Sequence, residues 1–194
     1  MWNKNVVVPP SVYIGLCVGL FLFPIGWLFA WFIAATIHEL GHLIALRIFH
    51  IPITGMKISL NGAYIETGYI PPNQEWLCAL AGPILGLSCL LLASLFPLVA
   101  IFGFVQSVYN LIPLPNYDGG RALLILLEMC FPTFVATKVY KTIIYIFDLI
   151  LVVLGFYLWI CVDLGAMCML ICLLPIIKSY KIKTPCKQPK LIVQ

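Results

Sequence analysis

The feature that most constrains this fold is an apolar run over residues 11–49. Its charged or strongly polar side chains are His38, Glu39, His42 and Arg47. A transmembrane helix needs roughly 20 apolar residues, so this run of thirty-nine is too long for one span and long enough for two short ones. The helix-breaking sequence Pro24-Ile25-Gly26 is the natural turn between the two. The sequence therefore predicts a membrane protein whose second span, at about residues 27–49, carries the polar motif.

The composition supports this interpretation, with 63% hydrophobic residues, 9% charged residues and a mean hydropathy of +1.09. Soluble domains contain about a quarter charged residues, so a water-soluble globule is excluded. The further candidate spans are residues 76–96, 98–112, 143–160 and 164–177. Six spans place both termini on one side with all eleven Lys and Arg residues, which predicts that this side is cytosolic. Merging the first two spans would leave five.

Residues 54–69 interrupt the pattern of long apolar segments. They alternate loosely and contain Asn61-Gly62, the strongest short signal for a β-hairpin. An edge strand beside a membrane active site could pair with an extended substrate by strand addition. A simple surface hairpin is the alternative that the sequence leaves open.

The predicted fold is an all-α polytopic membrane protein with about six transmembrane helices, a membrane-associated β-hairpin and a broken helix at the active site. Residues 1–178 form the transmembrane domain, with its core at about 27–127, and residues 179–194 form a basic cytosolic tail. The lysines of this tail produce most of the net charge of +4. They suit anionic lipid headgroups, and nothing in the charge pattern argues for nucleic acid.

The segment His38-Glu39-Leu40-Gly41-His42 has the spacing of a metal site. Two imidazoles four residues apart lie on one face of a helix, and the Glu between them can act as general base toward a metal-bound water. Polar groups are unfavourable in hydrocarbon, so those that occur there usually have a function. The motif therefore predicts metal-dependent chemistry within the bilayer.

A catalytic zinc usually has three protein ligands and one open position, so a third ligand is needed. The remaining acids are Glu66, Glu75, Asp118, Glu128, Asp148 and Asp163. Asp118 is preferred because residues 110–120 contain two prolines and two glycines, and broken backbone at membrane depth is tolerated where it lines a cavity. Glu66 is the alternative, although its hairpin differs from the helix on which such ligands lie. Without the His motif, Asp118 would be interpreted as the N-cap of a helix starting at Gly119.

Three motifs, in this order, resemble the site-2 protease family of intramembrane zinc metalloproteases: His38-Glu39-Leu40-Gly41-His42, Ala81-Gly82-Pro83, and Asn110 followed by Asp118-Gly119-Gly120. The resemblance covers roughly residues 27–127. It implies that His38, His42 and Asp118 bind one zinc ion per chain, the metal that two imidazoles and a carboxylate favour. It also implies that Glu39 is the catalytic base and that Asn110 positions the substrate or the oxyanion. By the same resemblance, the membrane is a bacterial cytoplasmic membrane.

The sequence departs from the family pattern at two places. Gly86 stands where many members have a polar Asn, and Asn116-Tyr117 replaces the more usual Pro-Leu before the Asp. The chain has no room for the PDZ or CBS domain that several members carry. Its size and span count look most like the sporulation branch, the stage IV sporulation protein FB type, without the CBS domain.

The predicted function is that of a zinc metalloendopeptidase for regulated intramembrane proteolysis. It hydrolyses a peptide bond within or beside a transmembrane segment of a membrane-protein substrate, in contact with the lipid bilayer and with room for a regulatory membrane partner. The alternatives are a non-catalytic membrane zinc carrier or sensor and an inactive client-binding homologue. Asp148, in the fifth span, is either a structural polar contact or a substrate-gating residue.

Overall fold

The computed structural model describes residues 6–7, 10–59, 62–160, 172–174, 176 and 191–193. The chain divides into two compact units, residues 1–111 with 189–194, and residues 112–188. The helices of the first unit are α1 (Pro10–Leu22), α2 (Ile25–Ile48), α3 (Pro72–Leu87) and α4 (Pro97–Asn110). A short 3-10 helix, Ser88–Leu92, continues α3. The helices of the second unit are α5 (Asp118–Cys130) and α6 (Thr133–Ile160).

Among the described residues, three helical segments are long and apolar enough to cross a membrane: Ile25–Ile48, Pro72–Leu92 and Thr133–Ile160. Each coincides with a predicted span, and the chain is a membrane protein with an all-α fold. The shorter apolar helices Val12–Leu22 and Pro97–Asn110 coincide with two more. The span predicted at 164–177 lies almost entirely outside the described residues. α5 forms in a region for which no span was predicted.

Prolines mark where the helices of the first unit begin. Pro24 directly precedes α2, and Pro72 and Pro97 are the first residues of α3 and α4. Proline has a fixed φ and no backbone N–H, so it suits the first turn of a helix, where that N–H would have no intrahelical partner. The turn predicted at Pro24 is therefore confirmed, and α2 starts immediately after it.

The strands form one sheet in the order β1 (Val6–Val7), β2 (Ile53–Ser59), β3 (Gly62–Thr67) and β4 (Leu191–Val193). β2 and β3 are antiparallel, which confirms the predicted hairpin. β2 ends at Ser59, which pairs with Gly62 at the start of β3, and the predicted Asn61-Gly62 turn lies partly outside the described residues. β1 covers the outer edge of β2 and β4 covers the outer edge of β3. β1 pairs with residues 56–57 and β4 with residues 65–67, so the described strands leave both the strand-addition and the surface-hairpin alternatives open.

The first unit is held together by close helix packing and a small apolar core. A Cβ atom on Gly41 of α2 would overlap the backbone carbonyl of Ala81 in α3, so these helices approach to backbone contact. Small residues allow such approaches in membrane proteins, where van der Waals packing drives helix association. The core at this end joins α2, β3 and α3 through Ala45, Leu46, Ile65, Ile70 and Cys78. The face of α2 that carries the metal motif is thereby covered by α3.

The second unit contains the predicted helix break and the last long helix. α4 ends at Asn110 and α5 begins at Asp118, which confirms a break within residues 110–120. Asn116 has a φ of 72°, in the left-handed region that Asn tolerates better than most residues. α5 packs against α6. α6 buries one stripe of side chains spaced at four residues: Ala136, Tyr140, Ile144 and Asp148.

Candidate metal centre

The two motif histidines lie one turn apart on the buried face of α2. His38 is 1% exposed and His42 is 0% exposed, and their ring centroids are 5.1 Å apart. The same face carries Ala34, Gly41 and Ala45, which are also buried. These residues are small, so a neighbouring helix can come close enough to enclose both imidazoles. The 3.6-residue period of α2 thus brings the two rings to one enclosed position.

A backbone carbonyl of α3 fixes the orientation of His42. Its Nδ1 lies 2.8 Å from the Cys78 carbonyl oxygen. A carbonyl can only accept a hydrogen bond, so Nδ1 is the nitrogen that donates, and Nε2 carries the lone pair of the neutral ring. Metal-ligating histidines usually donate their second nitrogen to an oxygen in this way, which sets the tautomer and the ring direction. His42 is therefore held in the form that binds a metal through Nε2.

The position of Gly82 explains why the Ala81-Gly82-Pro83 motif contains a glycine. A Cβ atom at this position would overlap the His42 ring at Nε2 and would lie 2.5 Å from Cε1 and 2.8 Å from Cδ2. The imidazole thus lies directly against the backbone of α3, in space that only glycine leaves free. Any larger residue would displace the ring.

His38 contacts the last residue of α4. The side-chain amide nitrogen of Asn110 lies 3.2 Å from His38 Nε2, so in this arrangement the amide donates to the ring. Asn110 was expected to position the substrate or the oxyanion, and the structure places it against one of the two motif histidines. The position at the end of α4, just before the broken segment, sets its side chain beside the motif helix.

The broken segment holds Asp118 rigidly at the start of α5. Asp118 is 3% exposed, and the preceding Leu114 and Tyr117 are also buried. A Cβ atom on Gly120 would overlap the Leu114 carbonyl, so the turn packs directly on the first turn of α5. The N-cap residue is Tyr117, one position earlier than the cap expected if Asp118 only initiated the helix. The carboxylate is thus presented from a helix end whose backbone has little freedom.

His38, His42 and Asp118 are brought together as a group that could hold a metal ion. One ligand atom from each lies within 4.8 Å of those of the other two, and all three residues are buried. Two imidazoles and one carboxylate, with room for one further ligand, are the donor set of many catalytic zinc sites. The group formed by the described residues contains Asp118 and not Glu66, whose strand β3 is paired on both sides.

Glu39 lies between the two histidines on α2 and is half-buried. Its place in the helix fixes its Cα relative to both imidazoles. Sequence reasoning missed two other groups near the motif histidines, the Cys78 carbonyl and the Ser107 side chain, and it noted Gly86 only as a departure from the family pattern. Every residue has a backbone carbonyl, so the sequence does not indicate which carbonyl takes part. The small residues, by contrast, repeat at four-residue spacing in α3 (Gly82, Gly86), a pattern that indicates close helix packing.

The structure is similar to that of the site-2 protease from Methanocaldococcus jannaschii. The TM-score is 0.60 at 19% sequence identity, and the match covers 95% of this chain and 97% of that chain. The chain has the fold of that protease. No protein-family model matches the sequence, and no curated protein matches it. The fold that the three motifs implied is therefore confirmed, while the likeness to the sporulation branch stays a prediction.

Proposed function

We propose that this protein is an intramembrane zinc metalloprotease of the site-2 protease family. It would hydrolyse a peptide bond within or beside a transmembrane segment of a membrane protein. The observation that carries the proposal is the buried group of His38, His42 and Asp118, with Glu39 between the two histidines. The fold that this chain shares with the site-2 protease from Methanocaldococcus jannaschii supports the proposal.

His38, His42 and Asp118 are the residues that would hold the zinc ion. When bound, zinc supplies a Lewis acid that polarises the scissile carbonyl and activates a water molecule for attack. The Cys78 carbonyl keeps His42 in the ligating tautomer, and the burial of all three ligands keeps bulk water from competing with them. The donor set fits zinc better than the oxygen-rich sets that magnesium or calcium prefer.

Glu39 is the proposed general base. Its carboxylate takes a proton from the attacking water and passes it to the leaving amine when the peptide bond breaks. Asn110 is the proposed positioning group for the substrate carbonyl or the oxyanion, since its amide can donate hydrogen bonds and lies beside His38. Both assignments use residues that α2 and α4 hold at fixed helix positions.

The substrate must present extended backbone at the site, because a helix hides its amides from attack. An extended segment can add to a sheet edge by main-chain hydrogen bonds. In this fold β4 pairs with residues 65–67, so an addition at that part of β3 requires β4 to leave. We therefore expect substrates whose transmembrane segment contains helix-breaking residues, and a regulatory membrane partner is compatible with this arrangement. Both termini are proposed to be cytosolic, in a bacterial cytoplasmic membrane.

Cleavage by the purified protein in liposomes tests the proposal. The probes are tagged transmembrane segments that carry a central Gly-Pro break, with the same segments carrying Leu-Leu as the uncut control. Glu39→Gln should reduce the cleavage rate by about 10²–10⁴-fold, the usual contribution of a general base, while the bound zinc stays at one per chain. Glu75→Gln, in the first turn of α3, is the matched control and should cleave as wild type does.

Three outcomes would overturn the proposal. Cleavage that persists in Glu39→Gln would remove the general base from the mechanism. Zinc uptake into liposomes that is lost in His38→Ala and kept in Glu39→Gln would favour a zinc carrier. Folded wild-type protein that holds no metal would favour an inactive client-binding homologue.

A further inference from the structure

Ser107 of α4 is a buried polar residue with no role in the mechanism above. It is 0% exposed, and its hydroxyl oxygen has no hydrogen-bond partner among the described residues. Leaving a buried hydroxyl unsatisfied is unfavourable by about 1–3 kcal/mol, so such a group needs an explanation. Ser107 precedes Asn110 by one helical turn and therefore lies on the same face of α4 as the residue that contacts His38.

The surroundings of Gly86 show where this hydroxyl points. A Cβ atom on Gly86 would overlap Ser107 Oγ, and the same Cβ would lie 3.4 Å from His38 Nδ1. The hydroxyl and the imidazole nitrogen therefore border one small space between α3 and α4. Gly86 leaves that space free because it has no side chain.

Each of the two motif histidines has polar groups of other helices near its ring nitrogens. Nδ1 of His42 donates to the Cys78 carbonyl of α3, while His38 turns Nε2 toward Asn110 and Nδ1 toward the space at Gly86. A histidine that binds a metal through one nitrogen almost always donates the other N–H to an oxygen. Among the three atoms nearest to a Cβ built on Gly86, the side-chain oxygen that accompanies His38 Nδ1 is that of Ser107.

We propose that Ser107 is a positioning residue for the metal centre. Its hydroxyl accepts a hydrogen bond from the Nδ1–H of His38, directly after a rotation about its χ1 torsion or through one water molecule. This bond fixes the tautomer in which Nε2 carries the lone pair, as the Cys78 carbonyl does for His42, and a zinc ion at that lone pair would displace the Asn110 amide that donates to it. The inference rests on the proposed function, because it requires that His38 is a metal ligand.

A purely structural role predicts the opposite result on substitution. Gly103 and Ser107 are small residues one turn apart in α4, and small residues suit close helix packing. If Ser107 served packing alone, Ala would be equivalent or better, since removing an unsatisfied hydroxyl is neutral or stabilising. The two roles are therefore separated by the effect of Ser107→Ala on metal affinity.

The first experiment measures zinc affinity of the detergent-purified protein by competition with a chelator. Ser107→Ala should weaken zinc binding by about 10–100-fold, the usual loss when the hydrogen-bond partner of a metal ligand is removed. The unfolding midpoint of the metal-free protein should stay the same or rise. Ser88→Ala is the matched control, because the Ser88 hydroxyl donates to the Leu85 carbonyl within its own helical turn at 2.6 Å. It should leave zinc affinity unchanged.

Two double variants test the space at Gly86. In Gly86→Ala/Ser107→Ala, the new Cβ occupies the room left by the hydroxyl, so the metal-free stability should equal that of Ser107→Ala while zinc affinity stays low. In Gly86→Ser/Ser107→Ala, a hydroxyl returns to the same space from α3. This second variant should recover most of the lost zinc affinity.

The outcomes distinguish this inference from the proposed function. Wild-type protein without zinc would overturn the proposed function and the inference with it. Wild-type protein that binds zinc, with Ser107→Ala binding it equally well, would overturn the inference alone. A loss of affinity that parallels a loss of metal-free stability, and that Gly86→Ser/Ser107→Ala does not recover, would attribute the lost affinity to general destabilisation and would also overturn the inference.

Discussion

Two long apolar helices, α2 and α6, each bury ionisable side chains, and they do so in different ways. In α2, His38 and His42 lie beside groups from other helices: the Asn110 amide and the Cys78 carbonyl. In α6, Asp148 is 7% exposed, and neither of its carboxylate oxygens has a hydrogen-bond partner among the described residues. Both helices have the length and composition of membrane spans. Hydropathy therefore does not distinguish them.

The difference shows what identifies a site in a membrane protein. A buried polar group in hydrocarbon is unfavourable wherever it occurs, and such groups are functional candidates by default. At α2, glycines of the neighbouring helix bring polar atoms of three helices to the same position. At α6, the surrounding stripe consists of Ala136, Tyr140 and Ile144, which follow the ordinary spacing of a packed helix face. Convergence of polar groups, and not burial alone, distinguishes the candidate metal centre.

The largest effect is expected from removing the proposed third ligand. Asp118→Ala leaves two imidazoles, and a catalytic zinc site normally needs three protein ligands. The purified variant should therefore lose nearly all of its bound zinc, measured by elemental analysis, together with cleavage of the Gly-Pro probe. Glu66→Ala is the matched control, because Glu66 is the other acid that sequence reasoning considered. It should keep one zinc per chain.

The reverse result would show that α2 does not differ from α6 in the way proposed. If zinc were lost with Glu66→Ala and kept with Asp118→Ala, the third ligand would come from β3. The enclosed group of His38, His42 and Asp118 would then be a packing arrangement, as the buried stripe of α6 is.

Much of this site could be predicted from the sequence because its signals are local. The spacing of His38 and His42 follows from helix periodicity, and Pro24 sets the start of α2. The prolines and glycines of residues 110–120 predicted the break that presents Asp118. The hairpin was also predicted, because Asn61-Gly62 between two alternating segments is a local signal, whereas the bulge between Ile53 and Gly55 was not.

The rest depends on contacts between distant parts of the chain. The Cys78 carbonyl binds a histidine 36 residues away, and every residue has a carbonyl, so no sequence pattern points to it. The pairing of β4 with β3 joins segments more than a hundred residues apart, and three apolar residues give no signal for their partner. Ser107 looks like any small helix residue until the space at Gly86 is seen. These features come from tertiary packing, which a pattern in one sequence does not record.

A smaller effect is expected at the contact between α3 and His42. Gly82→Ala places a Cβ atom against the imidazole, so either the ring or the helix must move. Overpacking of this kind usually destabilises a protein by about 1–3 kcal/mol. Zinc affinity should fall with it, by roughly 10–100-fold, because the ring loses its orientation. Chelator competition and unfolding in mixed micelles measure the two effects.

Gly26→Ala is the control for Gly82→Ala. Gly26 lies in the first turn of α2, and a Cβ atom there would meet nothing within 4 Å. This variant should keep full zinc affinity, and its stability should stay the same or rise by about 0.5–1 kcal/mol, since Ala favours a helix over Gly. A Gly82→Ala protein that behaves like Gly26→Ala would show that the tight packing at α2 is not what holds the ring.

The smallest effect is expected at Asp148, where the sign of the stability change distinguishes a structural carboxylate from a functional one. Asp148→Leu replaces a buried carboxylate that has no hydrogen-bond partner in the described structure by an apolar group that suits the stripe of α6. The free energy of unfolding in mixed micelles should stay the same or rise by about 1 kcal/mol, since the removed group leaves no polar atom unsatisfied. Ile144→Asn, one turn earlier on the same stripe, is the matched control and should destabilise the protein by about 1–3 kcal/mol.

If Asp148→Leu were destabilising by a similar amount, Asp148 would have a structural partner elsewhere in the chain. If stability were unchanged but cleavage of the Gly-Pro probe fell, Asp148 would act on the substrate, and α6 would then resemble α2 in carrying a functional polar group.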